Sequence, residues 1–420
     1  MTNATDNGAA PAPLLDRSDE RVKHRQGISG SIEAFWDRVR SGDLGSLPVI
    51  VGLVIIWTVF QTLNPVFLAP NNLVNLLFDC STVGIISLGI VCILMVGEID
   101  LSVGSVSGFA SAIVGVLWVN QGWPVGFAII TAMFFGAVIG MLYATLFNKF
   151  GMPSFVSTLA GLLAVLGLQL YLLGSTGSIN LPYGSMLVDF GQTMVMPDIV
   201  AYALAAIAGL SIFVTGYRTA ARRREAGLSS PSLGGLAFKA IAITVVLEAI
   251  VFYINRGDRG IPWMFGLFVG LAMAMNYALT RTQWGRMMHA VGGNREAARR
   301  AGINVRFIYT SAFVLCSVFA ATGGVLAASR LASASQQAGT GDVNLNAIAA
   351  AVIGGTSLFG GRGSAYSALL GIIVIQSIAS GLTLLDLSSS LRYMITGAVL
   401  AIAVIVDSLA RRSRMSHGRA

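Results

Sequence analysis

Apolar runs about as long as a lipid bilayer's hydrocarbon core is thick recur along this chain, separated by short polar segments. A core of about 30 Å asks for roughly 20 apolar residues per helix. Runs near 47–63, 81–97, 103–119, 124–147, 155–173, 199–216, 237–254, 262–280, 308–329, 365–384 and 391–409 follow that measure. A twelfth, 346–359 (NAIAAAVIGGTSLF), is short and ends toward glycines, so it either spans or enters and turns back. Ahead of the first run, residues 1–46 are polar and lack the apolar core and small-residue cleavage site of a secretory signal, so the tail is expected to stay attached. Within the tail, Ser31 followed by Ile32, Phe35, Trp36 and Val39 repeats with helical spacing, and Gly42 is a stop. This predicts an amphipathic helix over 31–41, lying on the membrane surface or packed on the chain's own loops.

Composition agrees with the pattern. The chain is 55% hydrophobic and 11% charged, where soluble domains carry roughly a quarter charged residues. So few charges cannot cover a water-soluble surface, which excludes an ordinary soluble enzyme. The formal charge is +8, but the basic residues occupy the gaps between runs rather than one patch, which argues against a nucleic-acid surface. With the N-terminus inside and 346–359 counted as a crossing, 23 of the 27 Lys and Arg residues fall in cytoplasmic segments. The four outside are Arg256, Arg259, Arg330 and Arg392. Short loops rich in Lys and Arg stay cytoplasmic, so both termini are expected inside.

The expected fold is an all-α polytopic membrane protein with about 12 transmembrane segments, or ten plus re-entrant segments, in two pseudo-repeated halves. Its parts are the polar tail 1–46, a transmembrane domain 47–410, a cytoplasmic loop 281–306 and a basic tail 411–420. Gly104 with Gly108, Gly136 with Gly140, and Gly266 with Gly270 have the spacing that lets helices approach closely in lipid. Cys80, Cys92 and Cys316 have neither disulfide-framework nor zinc spacing and read as packing residues.

The motifs narrow the chemistry. None of the three lysines, Lys23, Lys149 and Lys239, sits in a GxxxxGK[ST] phosphate cradle, and there is no GxSxG or HExxH. No catalytic or metal-ligating set is expected, and transport is the job left for a many-spanning chain. In the loop 281–306, Asn294 is a good N-cap, Glu296 lies in the first turn, Arg299 and Arg300 lie in the last, and Gly302 suits the left-handed position after a helix. Ala297, Ala298 and Ala301 would leave a smooth face for a cytoplasmic partner; the alternative is a basic connector. A second cluster, Gly97-Glu98-Ile99-Asp100-Leu101-Ser102-Val103-Gly104-Ser105, breaks two apolar runs, and Gly354 to Ser364 makes a comparable break late in the chain. Carboxylates and glycine interruptions at such breaks mark a polar pathway or gate. The alternative is that Asp100 or Ser102 caps the next helix and Glu98 pairs with Arg362 or loop backbone. Glu248, inside VVLEAIVFYI, must face helices or water, as a hydrogen-bonded structural group or a proton carrier.

Three blocks carry a resemblance: GEIDLSVGS at 97–105, GRMMHAVGGNREAARRAGINV at 285–305 and AIAAAVIGGTSLFGGRGS at 347–364. From about 47 to 412 the chain resembles the permease subunit of bacterial monosaccharide ABC importers, the ribose, arabinose and xylose permease family. The stretches RRREAGLSSPSLGG at 222–235, with the apolar run after it, and NRGDRGIP at 255–262 resemble the xylose type more than the shorter ribose type. The resemblance implies an inner-membrane, multi-pass permease subunit, not itself an enzyme. Its implied cargo is D-xylose, with ribose or arabinose as alternatives, and a proton-coupled carrier using Glu248 or Asp100 is the rival mechanism. Implied partners are a cytoplasmic ATPase dimer carrying ATP and Mg, a periplasmic sugar-binding protein, a second permease chain and the bilayer. For the ATPase contact the resemblance points to Gly292, Gly293, Asn294, Glu296, Ala297, Ala298 and Gly302. For the substrate path or gate it points to Glu98, Asp100, Ser102, Ser105, Thr356 and Ser357, and Asp100 more than Glu98.

Overall fold

The computed structural model describes residues 47–398, apart from 227, 229, 231, 389 and 392, together with 401 and 405. The helix expected over 31–41, the basic tail 411–420 and most of the run 391–409 lie outside the described residues. The described chain is almost wholly helical. In order it forms α1 (Leu47–Leu63), α2 (Pro70–Met95), α3 (Val103–Val114, continued by π-helical Gly115–Asn120), α4 (Val125–Phe150) and α5 (Ser154–Leu173). A short strand β1 (Ser178–Asn180) and helix α6 (Met186–Gln192) precede α7 (Asp198–Glu225), α8 (Leu233–Ile254) and α9 (Trp263–Arg281). Then come α10 (Gln283–Gly293), α11 (Arg295–Arg300), α12 (Val305–Leu331), β2 (Ser333–Ser335), α13 (Val343–Ile353) and α14 (Ala365–Leu384).

Among the described residues nine helices are long and apolar enough to cross a membrane: α2, α3 with its π-helical extension, α4, α5, α7, α8, α9, α12 and α14. The helices α1 and α13 are apolar but shorter. Proline marks several beginnings. Pro124, Pro153, Pro197 and Pro262 each sit immediately before a helix, where a fixed φ and a missing N–H remove no helical hydrogen bond. Glycine marks ends: Gly151, at φ 65, closes α4 with its N–H on the Leu146 carbonyl.

The described residues fall into two compact units. One comprises Pro197–Asn255, the antiparallel pair α7 and α8, where the Gly209 backbone lies against Thr244. Glu248 lies on α8. In the other unit the chain leaves and re-enters beside itself: Met196 N–H donates to the Ile261 carbonyl at 2.7 Å and Trp263 N–H to the Met194 carbonyl at 3.2 Å. The pair is thus an excursion between two neighbouring points, which is how the sequence places its extra apolar run.

In the larger unit α2 is the central helix, packed by α12, α14, α13 and α9. Lipid supplies no hydrophobic drive between helices, so close packing must hold them. Gly84 makes room for the fully buried ring of Phe268, and Gly89 lies against the backbone at Cys316. The expected Gly136 and Gly140 face is a true helix contact, pressed on the Ser317 and Phe313 carbonyls of α12. Gly104 and Gly108 instead meet non-helical backbone, the carbonyls of Gly339 and Ala338. Gly266 faces only Met196 and Gly270 faces open space, so that pair makes no close helix contact. The outer flanks of α4 and α5 show large apolar side chains, among them Phe127 at 63% exposure and Leu163 at 66%, as a lipid-facing surface should. All three cysteines are buried and free.

Candidate functional site

The two glycine-rich breaks and the arginine-rich loop meet at one place, and they meet through backbone. Helix α2 ends at Met95; Gly97, at φ 82, turns the chain out, its N–H on the Leu94 carbonyl at 2.9 Å. That left-handed turn suits glycine, which has no Cβ to crowd the carbonyl. Against this end lies the loop after α13. There the Gly361 N–H donates to the Met95 carbonyl at 2.9 Å, and Gly360 and Gly361 also have positive φ, 82 and 75. The end of α10 closes the third side. A Cβ on Gly292 would fall 1.8 Å from the Met95 oxygen, one on Gly360 would fall 2.7 Å from the Gly292 oxygen, and one on Gly361 would fall 3.0 Å from Gly293 Cα. His289, a turn earlier on α10, brings Nδ1 to 3.2 Å from the Gly361 carbonyl. Three segments far apart in sequence thus share a junction from which side chains are excluded.

The first break is not loose. Ile99 and Leu101 N–H groups donate to the Ser154 and Thr158 hydroxyls of α5, at 3.5 and 3.1 Å. Asp100 Oδ1 accepts from both the N–H and the hydroxyl of Ser102, at 2.8 and 2.7 Å. Asp100 therefore shapes a tight turn into α3 rather than capping that helix's first free N–H groups. Ser102 occupies the N-cap position but makes no side-chain cap bond. Asp100 is fully buried and its Oδ2 has no hydrogen-bond donor; burial pushes its carboxyl above the ordinary carboxylate range, against the pull of the Ser102 bonds. Glu98, partly buried, is also pushed up by burial, opposed by the Ser154 hydroxyl and by the Arg295 charge.

The second break begins where α13 stops. Gly355 takes φ 105, Thr356 is fully buried with its Oγ1 unpartnered, and Ser357 ties the loop through its N–H on the Arg362 carbonyl and its Oγ on the Phe359 N–H. Helix α13 has eleven residues, roughly 16 Å at about 1.5 Å per residue, about half a hydrocarbon core. Non-helical backbone leads into it, held where Gln169 of α5 donates to the Ser335 and Ala338 carbonyls at 2.9 and 3.0 Å, and Asn344 in the first turn of α13 accepts from Gly104 N–H. Irregular backbone of this kind persists in a membrane where protein satisfies its polar groups. Ser105 is buried on α3 close to that contact in sequence.

The helix spelled by the 294–302 spacing is present as α11. The Asn294 side chain accepts from Ala297 N–H at 2.9 Å, and Gly302 takes φ 81 just beyond the end. Its faces differ from the sequence expectation. Ala298 is only 4% exposed, turned toward the protein, while Ala297 and Ala301 are exposed. A six-residue helix lying on α12 must bury one side, and its spacing does not say which of two neighbouring alanines that is. The face open to a partner is carried by Ala297 with Glu296, Arg299, Arg300 and Ala301. Arg295 is engaged instead, its guanidinium over the rings of Tyr309 and Phe147 at 5.3 and 5.7 Å, while Arg299 pairs with Glu296 at 3.0 Å.

Sequence reasoning found each of these segments but not their meeting, nor the part played by Gly97, Gly360, Gly361 and His289. Positive-φ glycines flanking helix ends were the available signal. Chemically the arrangement is suited to carrying displacement between the loop and the two breaks.

Comparison with known proteins bears on what is carried. Residues 72–404 match the family described as branched-chain amino acid transport system / permease component. The chain is 34% identical over 378 residues to the xylose transport system permease protein XylH of Escherichia coli K12, covering 89% of this chain and 94% of that one. It is 31% identical over 373 residues to its namesake in Haemophilus influenzae, covering 88% and 98%. It is 31% identical over 366 residues to the ribose import permease protein RbsC of Bacillus subtilis, covering 87% and 94%. No solved structure matches it.

Proposed function

This chain belongs to the family of branched-chain amino acid transport system permease components, and from that premise we propose that it is the membrane subunit of an ATP-driven monosaccharide importer whose cargo is D-xylose. The relatives named for xylose and ribose transport support the sugar. The excursion α7–α8 supports the xylose type, following the resemblance of its flanking stretches. The chain has many membrane-spanning helices; its place is the bacterial inner membrane, with the arginine-rich loop in the cytoplasm. It hydrolyses nothing itself. ATP and Mg are held by a cytoplasmic ATPase dimer, sugar arrives on a periplasmic binding protein, and a second copy of the permease completes the translocation unit.

The observation that carries this reading is the glycine junction of Met95–Gly97, Gly292–Gly293 and Gly360–Gly361. The exposed side of α11 seats in the ATPase. When the ATPase dimer closes, α10 moves with α11, and because the Gly292 backbone lies against both breaks, the ends of α2 and α13 move too. Asp100, Ser102 and Ser105 on one side and Thr356 and Ser357 on the other are the polar groups the movement displaces, with Glu98 at the rim. The hydroxyls of Ser102, Ser105, Thr356 and Ser357 suit a solute that is itself a set of hydroxyls.

The test is uptake of labelled D-xylose by proteoliposomes holding the chain with its ATPase, binding protein outside and ATP inside. ATP-dependent uptake, lost in Ala297→Trp together with co-purification of the ATPase, supports the reading. Uptake by the chain alone under a proton gradient would replace it with the carrier mechanism and turn attention to Glu248 and Asp100.

A further inference from the structure

The pair α7 and α8 forms a unit of its own, and its two ends differ in charge. At one end Asn255 Nδ2 donates to Asp198 Oδ1 at 3.0 Å. At the other, residues 218–239 hold five basic side chains, Arg218, Arg222, Arg223, Arg224 and Lys239, against one carboxylate, Glu225. The helices touch there, with the Gly216 backbone against the Leu236 side chain, so both contribute to one basic end. Arg218, Arg222, Arg224 and Lys239 are exposed. Among the described residues no carboxylate pairs with Arg218, Arg222 or Lys239, and Arg224 donates to the Ser230 hydroxyl at 2.9 Å.

Helix length places these charges at a bilayer edge. Arg218 lies twenty residues after Asp198, about 30 Å along the axis and hence at the far boundary of a hydrocarbon core. Tyr217 beside it is 49% exposed, and tyrosine is enriched at that boundary. Arg222 and Arg224 lie a turn or more beyond, at the level of the headgroups. Lys239 is fifteen residues short of Ile254, about 22 Å, so its backbone is still inside the core and its ammonium reaches back toward the headgroups. On the same face of α8, deeper in the core, Ala242, Val246 and Ile250 follow at i+3, i+7 and i+11, and all three are exposed. An unpaired ammonium at the head of an apolar track matches a phospholipid, with the phosphate at the charge and an acyl chain along the helix.

We propose that the basic end of α7 and α8 binds an anionic phospholipid of the inner leaflet, its phosphodiester held by Arg218, Arg222 and Lys239 and an acyl chain lying along Ala242, Val246 and Ile250. A water-soluble acidic partner cannot approach the base of Lys239 without entering hydrocarbon, whereas a lipid headgroup is already beside it. A zwitterionic lipid brings its own cation, which the basic side chains repel. The inference goes beyond the importer reading: it needs the membrane-spanning helices and the cytoplasmic placement of the arginine-rich segments, and is independent of the cargo.

The test uses the full-length chain, stripped of native lipid in a non-ionic detergent, with phosphatidylglycerol or phosphatidylcholine titrated in and bound lipid counted by native mass spectrometry. Wild type should bind phosphatidylglycerol in preference to phosphatidylcholine. In Arg218→Gln/Arg222→Gln/Lys239→Gln the apparent affinity for phosphatidylglycerol should fall roughly a hundredfold, about fivefold for each charge removed. Lys239→Gln alone changes one exposed, unpaired side chain and should lose about fivefold, which keeps the test decisive if the triple variant does not fold. Taking three charges from the other unit, in Arg281→Gln/Arg286→Gln/Arg306→Gln, should change the affinity little. Equal binding of the two lipids by wild type overturns the proposal, as does unchanged affinity in Lys239→Gln or a control variant that loses as much as the first. Displacement of phosphatidylglycerol by inorganic phosphate overturns it as well, because the site then takes a free anion. Loss of the co-purifying ATPase from Lys239→Gln, with phosphatidylglycerol retained, assigns the basic end to a protein and overturns it too.

Discussion

Helix α2 meets its neighbours in opposite ways at its two ends. At Met95 the contacts are glycine backbone against glycine backbone. Sixteen residues earlier, about 24 Å along the axis, Asp79 and Asn75 hold two arginines through directed side-chain bonds. Directed bonds favour one register and resist sliding, because a displaced donor loses its acceptor. Bare backbone in contact has no such preference and is sensitive to added volume. The helix is therefore pinned at one end and jointed at the other, which is the division of labour needed if movement enters from the arginine-rich loop.

The sharpest way to break the contrast is to put volume into the joint. Gly292→Ala places a Cβ 1.8 Å from the Met95 oxygen, and neither backbone can give way alone. Overpacking of this kind costs about 1–3 kcal/mol, and sugar uptake is expected to fall about tenfold or more, measured in reconstituted vesicles. Removing a pin costs less. Arg330→Met leaves the half-exposed Asp79 without its partner and should lower stability by about 1 kcal/mol, read as a drop in the melting temperature of the detergent-solubilised chain, with little change in ATPase binding.

Acidity separates the two ends as well. Burial raises the Asp100 carboxyl above 3.8, its ordinary value. Well below that value folded and unfolded chains are both protonated and the group is neutral to stability. As pH rises the unfolded chain ionises first, so the folded state loses stability until pH passes the folded pKa, and the deficit is then constant. Melting temperature should decline over that window in the wild type, and Asp100→Asn should flatten the decline. The smallest effect is expected at Gly270, where a Cβ meets nothing within 4 Å. Gly270→Ala in mid-helix should stabilise by at most about 1 kcal/mol and leave uptake unchanged.

How much of this was legible follows from the range of each signal. The membrane helices were, because a bilayer sets their length; the short segment at 346–359 was read as either spanning or turning back, and the helix there, α13, has eleven residues. The start of α2 was not. Asn71, Asn72, Asn75 and Asp79 depress its hydropathy, and only partners distant in sequence, Arg259, Arg330 and Gln376, make those turns affordable in a membrane. The capping of α11 is written within nine residues and was readable. Which alanine it buries depends on α12 and was not. The glycine breaks announced themselves as interruptions, but nothing local states that Gly97, Gly292 and Gly361 share one contact. That is a property of packing.

Gly97→Ala tests the joint most directly, because its Cβ would have ordinary room, 3.6 Å from the Phe359 oxygen, and only φ 82 is strained. The variant should fold and keep its ATPase, at a backbone cost of about 1–2 kcal/mol. The measurement is D-xylose moved per ATP hydrolysed in the reconstituted complex. A fall in that ratio with ATP hydrolysis retained is the expected result. An unchanged ratio would contradict a junction that couples the loop to the gate.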